Sequence, residues 1–147
     1  MYTVKNVSKQ RCQELILVFV LFMSSLLVRA LFGIYGIELD RPFTGDEGGF
    51  HWRALRLIDG ELGQRAHRAP FTAIAIAPSY WLFGSAPEVG RWMMVIISSF
   101  GAPLLFFLGK RLSGSYFVGL FAGLYWVVYP PSIFYSTLIY SETISAV

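Results

Sequence analysis

Charged side chains are scarce in this sequence, and their scarcity is the first indication of its class. Only 14% of the 147 residues are charged, whereas 55% are hydrophobic and 17% are aromatic. A soluble domain usually carries about 25% charged residues. The deficit therefore indicates that much of the chain has lipid rather than water as its solvent.

Several signatures of common protein classes are also missing. Cys12 is the only cysteine, which excludes an internal disulfide framework and a metal site built from cysteine alone. The patterns GxxxxGK[ST] and GxSxG do not occur, so the sequence lacks the marks of a phosphate-binding loop and of an α/β-hydrolase. No lysine-rich tract with interleaved aromatic residues is present, and we expect no nucleic-acid partner.

Long apolar runs take the place of these signatures. They cover residues 15–37, 91–108 and 115–130, and a fourth run starts near 133–147. Because about 20 apolar residues cross a bilayer, the runs predict the spans of an all-α, polytopic membrane bundle. The first run is too long for a cleaved signal, and we expect Arg29 to extend its guanidinium outward to the nearby interface. The chain stops inside the fourth run, so we interpret it as one transmembrane domain that is incomplete.

Glycine and proline predict how the later runs meet. Residues 109–114 have the composition of a tight polar turn between the second and third runs. Gly119 and Gly123 lie four residues apart, a spacing that allows close approach of a neighbouring helix. Pro130 and Pro131 then predict a break in the third run.

The segment 38–90 differs from these runs, since it holds most of the acidic residues and both histidines. Its pattern Thr44-Gly45-Asp46-Glu47 predicts a capping box, in which Glu47 reaches back to the start of a helix. That helix is amphipathic, with His51 away from its apolar stripe, and suits a membrane surface. The apolar stretch 69–84 is short for a span and is interrupted by Pro78, so we favour a surface or half-buried helix over a crossing.

Basic residues predict which loops face the cytoplasm. The basic residues before the first run and in the turn after the second are Lys5, Lys9, Arg11, Lys110 and Arg111. With two crossings between these segments, residues 38–90 form an extracytoplasmic loop, and Glu142 lies on the same side as Asp46. We expect a multi-pass protein of the cell (plasma) membrane.

Five residues are candidates for chemistry. Asp46 and Glu47 stand at a predicted helix start, where the helix dipole favours carboxylates that can accept a proton. Taken alone, the pair is explained better by plain helix capping. Glu142 could hold a metal ion or lie in the headgroup region without a role. Arg65 and Arg68 could bind a substrate phosphate, although contact with anionic lipid headgroups would need no specific site.

The order of short motifs resembles the start of a known enzyme family. The motifs are, in order, Gly45-Asp46-Glu47, Arg68-Ala69-Pro70-Phe71, Trp81-Leu82-Phe83-Gly84, Arg91, Leu108-Gly109-Lys110-Arg111-Leu112-Ser113-Gly114, Gly119 to Pro130, Tyr135-Ser136 and Ser141-Glu142. This series is similar to the N-terminal part of the GT-C membrane glycosyltransferases, especially the branch of protein O-mannosyltransferases and aminoarabinose transferases.

The resemblance implies a function and a set of roles. Such enzymes transfer a sugar from a polyprenyl-phosphate donor to an acceptor hydroxyl on the extracytoplasmic face. It implies that Asp46 is the catalytic carboxylate with Glu47 beside it, and that Glu142 is a metal ligand, with magnesium or manganese as the possible cofactor. Two alternatives remain: a truncated, inactive fragment or half of a split enzyme, and part of a membrane transporter, whose ionisable residues would lie near the bilayer midplane.

Overall fold

The computed structural model describes residues 4–61 and 70–146, with side chains from Arg11 onward. Every regular element in these residues is helical, which confirms the all-α class. The helices are α1 (Val4–Phe32, continued by a π-helical turn at Gly33–Ile37), α2 (Glu47–Ile58), α3 (Pro70–Phe83), α4 (Pro87–Ser99), α5 (Gly101–Ser113), α6 (Tyr116–Val128), α7 (Pro130–Ser136) and α8 (Ser141–Ser145).

Within the described residues, two stretches are long and apolar enough to cross a membrane. They are Arg11–Ile37, formed by most of α1 and its π-helical turn, and Pro87–Ser113, formed by α4 and α5 together. Helices α6 and α7 make a third candidate if the pair, bent by 53°, is counted as one span. The prediction of a polar turn at 109–114 is correct only for its last residue. Helix α5 continues to Ser113, and Gly114, with φ of +68°, turns the chain.

Contacts at the two ends of the bundle fix the direction of these helices. Lys110, near the end of α5, forms an ion pair with Glu14 near the start of α1. At the opposite end, Arg29 of α1 contacts Ser98 of α4 and Trp126 of α6. Helices α1 and α6 therefore run one way and α4–α5 the other, the arrangement expected for two crossings before Lys110.

Glycines allow α5 and α6 to pack closely, as the sequence predicts. A Cβ atom on Gly119 would lie 2.5 Å from the backbone carbonyl oxygen of Phe106, and one on Gly123 would lie 3.0 Å from that of Ala102. Both contacts are with backbone, which cannot rotate away as a side chain can. The predicted close contact at these two glycines is confirmed.

Proline breaks the third candidate span between α6 and α7. In an unbroken helix the carbonyl of Trp126 would accept a hydrogen bond from the N–H of residue 130, which proline lacks. The guanidinium of Arg29 and the hydroxyl of Ser132 donate to that carbonyl instead, at 3.1 and 3.3 Å. Beyond the break, α7 ends at Ser136 and α8 has five residues, and the start of a fourth span near 133–147 stays a prediction.

The side chain of Arg29 points into the bundle, whereas we expected it to point outward. It is fully buried and donates to Ser25, Ser98, Trp126 and Ser132. The expectation was wrong because the proline break leaves the Trp126 carbonyl inside the bundle without a helical donor, and Arg29 donates to it. A side chain that faced lipid would have no such partner.

Helix α2 packs on protein instead of presenting its apolar face to a membrane surface. Phe50 and Ala54 join a buried cluster with residues of α3, α4 and the segment after α7: Ala73, Ile76, Tyr80, Met94 and Ile139. The outer side of α3 stays apolar and exposed, as at Phe71 and Trp81. Its 14 residues are shorter than a span, and its predicted interfacial position stays a prediction.

Candidate functional site

A buried ion pair joins the start of α2 to the start of α4. The guanidinium of Arg91 donates from Nε to Oε1 of Glu47 and from Nη2 to Oε2, both at 3.0 Å. Both side chains are fully buried. Such a bidentate pair fixes distance and orientation together, so these two helices are held in one relative position. We call the Glu47–Arg91 pair the latch.

The latch also holds the loop between α1 and α2. The remaining N–H groups of Arg91 donate to the backbone carbonyls of Leu39, Arg41 and Pro42, at 2.7, 2.6 and 3.2 Å. The loop thus wraps around one guanidinium. Its carbonyls, which belong to no helix or sheet, are satisfied in this way.

Glu47 has more donors than the arginine alone. Its carboxylate accepts from the backbone N–H and hydroxyl of Thr44 at 3.0 and 3.1 Å, and from Arg41 at 3.1 Å. It also accepts from the backbone N–H of Ile139 at 3.2 Å, which attaches the segment after α7. The reach of Glu47 back to Thr44 confirms half of the predicted capping box. The Thr44 hydroxyl, however, donates to Glu47 instead of accepting from the helix.

These contacts give Glu47 a structural role. Burial acts to raise the pKa of this carboxyl, but the hydrogen bonds from Arg91 and Thr44 and the arginine charge outweigh it, so the pKa lies below its ordinary value. A carboxylate that is buried and already accepts six hydrogen bonds has no room to receive a proton from a substrate. The geometry therefore supports a positioning role for Glu47 where a catalytic one was expected.

Asp46 is exposed beside the latch, and Glu142 is also exposed. Gly45, with φ of +55°, packs against the Tyr140 hydroxyl, since a Cβ atom there would approach it to 2.6 Å. Asp46 is next to Glu47, and Glu142 is three residues from Ile139, which Glu47 binds. Glu47 is thus the direct neighbour of Asp46 and also anchors, through Ile139, the segment that leads to Glu142.

Glu142 is the residue that the resemblance implies as a metal ligand. Glu142 is exposed and accepts from the Ser141 hydroxyl at 3.2 Å. Within residues 4–61 and 70–146 no three histidine, cysteine, aspartate or glutamate side chains are grouped so as to hold a metal ion. One carboxylate does not make a ligand set, and we derive no step through a metal.

The arginines expected to bind phosphate, Arg65 and Arg68, lie outside the described residues. Sequence reasoning missed Arg91 as a key residue. The signal was available, because an arginine at the head of an apolar span needs a buried partner, but the sequence does not say which acid provides it.

His51 is buried instead of being solvated on a surface helix. Its Nδ1 lies 3.0 Å from the hydroxyl of Tyr80, and its ring packs at 4.5 Å from that of Phe43. Burial lowers the pKa of this imidazole. The expectation failed because α2 is covered by α3, which sequence periodicity alone does not reveal.

A small pocket opens at the break between α6 and α7. Its volume is about 130 Å³, and its lining includes Ser98, Trp126, Tyr129, Ser132, Tyr135 and Glu142. Arg29 lies behind it, bonded to Ser98 and Ser132 at 3.1 and 2.8 Å. The pocket therefore has a buried cation behind its wall and an exposed carboxylate in its lining.

This chain has no match among protein families, curated proteins or solved structures.

Proposed function

We propose that this chain is the membrane part of a glycosyltransferase that moves a sugar from a polyprenyl-phosphate donor to an acceptor hydroxyl. The observation that carries the proposal is the latch, because Glu47 joins the helix start beside Asp46 to the segment that leads to Glu142, and both acids are exposed. Lipid-linked donors reach a protein from the bilayer, and their phosphate lies at the membrane–water boundary. Asp46 and Glu142 each follow a candidate span by a few residues, and the proposal puts them at this boundary.

The proposed reaction balances with the residues of this chain. The acceptor oxygen forms a bond to the anomeric carbon of the sugar as the bond from that carbon to the phosphate oxygen breaks. Asp46 takes the hydroxyl proton, as general-base catalysis requires a carboxylate within hydrogen-bond reach. The polyprenyl phosphate leaves with the bonding electron pair, and transfer inverts the anomeric configuration. In this proposal Arg65 and Arg68 stabilise the charge on the departing phosphate.

The test compares Asp46→Asn with unchanged protein in membranes from cells that produce each chain. Polyprenyl-phosphate hexoses and pentoses are supplied, and incorporation of label into acceptor is measured. Asp46→Asn is expected to lower transfer by at least about 100-fold, the scale of a lost general base. Glu61→Gln, which changes an exposed acid at the far end of α2, is the matched control. Equal transfer by Asp46→Asn and the unchanged chain would refute the role of Asp46.

A second measurement tests whether the two acids face one side. Single cysteines at 46 and 142, in a Cys12→Ser background, are treated with an impermeant thiol reagent on intact cells. Labelling at both positions is expected. Labelling at 46 alone, with 142 reacting only after the membrane is opened, would separate the two acids and remove the support for a shared site.

One observation favours the transporter alternative. Arg29 is an ionisable residue inside a candidate span and faces the bundle interior, where polar residues often mark a transport path. All five of its N–H groups, however, are donated to oxygens inside the bundle, two of them at the proline break and the others on Ser25 and Ser98. That structural use is sufficient to explain its burial, and we keep the transferase as the leading proposal.

A further inference from the structure

The pocket at the α6–α7 break has the size of one small ring. Its volume of about 130 Å³ is close to that of an apolar cavity of about 150 Å³ that binds benzene in another protein. Sites for drug-sized ligands are larger, about 300–1,000 Å³. A single ring or a short branched chain therefore fits, whereas a whole lipid does not.

The walls suit an apolar or aromatic body. Trp126, Tyr129 and Tyr135 contribute three aromatic side chains, and Pro131 adds a fourth apolar surface. The exposed lining is mainly apolar. Aromatic side chains contribute large apolar area and prefer offset or edge-to-face contact with another ring.

The charges around the pocket exclude a charged ligand. Arg29 is fully buried behind Ser98 and Ser132, and no carboxylate of the described residues pairs with its guanidinium. It therefore disfavours a cation. Glu142, in the lining, disfavours an anion. A zwitterion would have to bury its charges against apolar walls, which is costly without dedicated partners.

We propose that this pocket binds a small uncharged alcohol, whose ring or branched chain lies among Trp126, Tyr129 and Tyr135 and whose hydroxyl donates to the Glu142 carboxylate. This binding goes beyond the proposed function and does not rest on it, because the acceptor hydroxyl of the proposed transfer donates to Asp46, which does not line this pocket. In this inference Glu142 is a ligand-binding residue instead of a metal ligand.

The test uses the full chain in detergent micelles and 4-fluorobenzyl alcohol as the probe. Fluorine NMR line widths report its binding, and empty micelles of the same detergent correct for partitioning. Parallel titrations use 4-fluorotoluene, 4-fluorobenzoate and 4-fluorobenzylammonium. The alcohol is expected to bind more tightly than 4-fluorotoluene and 4-fluorobenzoate, which have no donor for Glu142. It is also expected to bind more tightly than 4-fluorobenzylammonium, whose positive charge is disfavoured by the buried Arg29 that bonds to Ser98 and Ser132.

Two variants separate the pocket from general micelle effects. Glu142→Gln is expected to weaken alcohol binding by about tenfold, the scale of one hydrogen bond to a charged group, while binding of 4-fluorotoluene is unchanged. Ala146→Phe, which fills the rim, is expected to abolish binding of both. Glu61→Gln is the matched control and is expected to behave as the unchanged chain.

The outcomes distinguish this inference from the proposed function. Tighter binding of either ion than of the alcohol, or unchanged alcohol binding in Glu142→Gln and Ala146→Phe, would overturn the pocket assignment even if Asp46-dependent transfer is present. Alcohol binding that responds to both variants, with no transfer in membranes, would uphold the pocket and refute the transferase.

Discussion

Removal of Arg91 is expected to destabilise this protein more than removal of any exposed arginine. The substitution Arg91→Gln leaves Glu47 buried without its bidentate partner, and it removes the donors to the carbonyls of Leu39, Arg41 and Pro42. Breaking a buried pair by deleting one partner costs about 3–5 kcal/mol. The total stability of a domain is about 5–15 kcal/mol, so much of it depends on this one guanidinium.

The measurement is unfolding of the full chain in mixed micelles, followed by circular dichroism as the fraction of denaturing detergent rises. Arg56→Gln is the matched control, because Arg56 is exposed on α2, and its effect is expected to stay within about 0.5 kcal/mol. The double variant Glu47→Gln/Arg91→Gln is expected to cost less than the sum of the two single changes, by up to about 3 kcal/mol. An Arg91→Gln protein within about 1 kcal/mol of the unchanged chain, or strict additivity in the double variant, would refute the reasoning.

The contribution of the latch to stability also depends on pH, and the direction follows from the pKa of Glu47 in the folded state. The pKa of Glu47 is lowered in the fold by its donors, despite burial. The stability that Glu47 contributes is therefore fully present above the unfolded carboxyl pKa of about 4.3 and is lost as pH falls through the lower folded value. We expect acid destabilisation below about pH 4.3, and its Glu47-dependent part is absent in Glu47→Gln.

Three further predictions concern the helices. Arg29→Met removes the donor to the Trp126 carbonyl at the proline break and is expected to cost about 1–3 kcal/mol; a detergent-unfolding midpoint equal to that of the unchanged chain would contradict this. Gly119→Ala forces a methyl group against a backbone carbonyl and is expected to cost about 1–3 kcal/mol of stability. Gly48→Ala is the control, because no atom lies nearer than 4.0 Å to the new Cβ, and it is expected to be neutral or slightly stabilising. Equal unfolding midpoints for the two variants would refute the close contact. Burial lowers the pKa of His51, so the unfolded chain takes up the proton first and stability falls as pH drops below about 6.5. In His51→Phe the unfolding midpoint is expected to change less with pH between pH 7.5 and 5.5. A pH dependence equal to that of the unchanged chain would refute this.

Local features of the fold were predictable from the sequence because they depend on neighbours along the chain. The low charge and long apolar runs predicted a helical membrane protein and the first span. The spacing of Gly119 and Gly123 predicted their close contact with another helix. The return of Glu47 to Thr44 was predictable as well, since both lie within one helical turn.

The partners of the buried charges were decided only by the tertiary structure. Glu47 binds Arg91, 44 positions away, and the Ile139 backbone, 92 positions away. Arg29 binds Ser98 and Trp126, 69 and 97 positions away, although its place near the end of the first apolar run suggested the membrane interface. The sequence shows that a buried charge requires partners, because desolvation is costly. Which partners it meets depends on the order in which the helices pack and on where the proline break leaves carbonyls without donors.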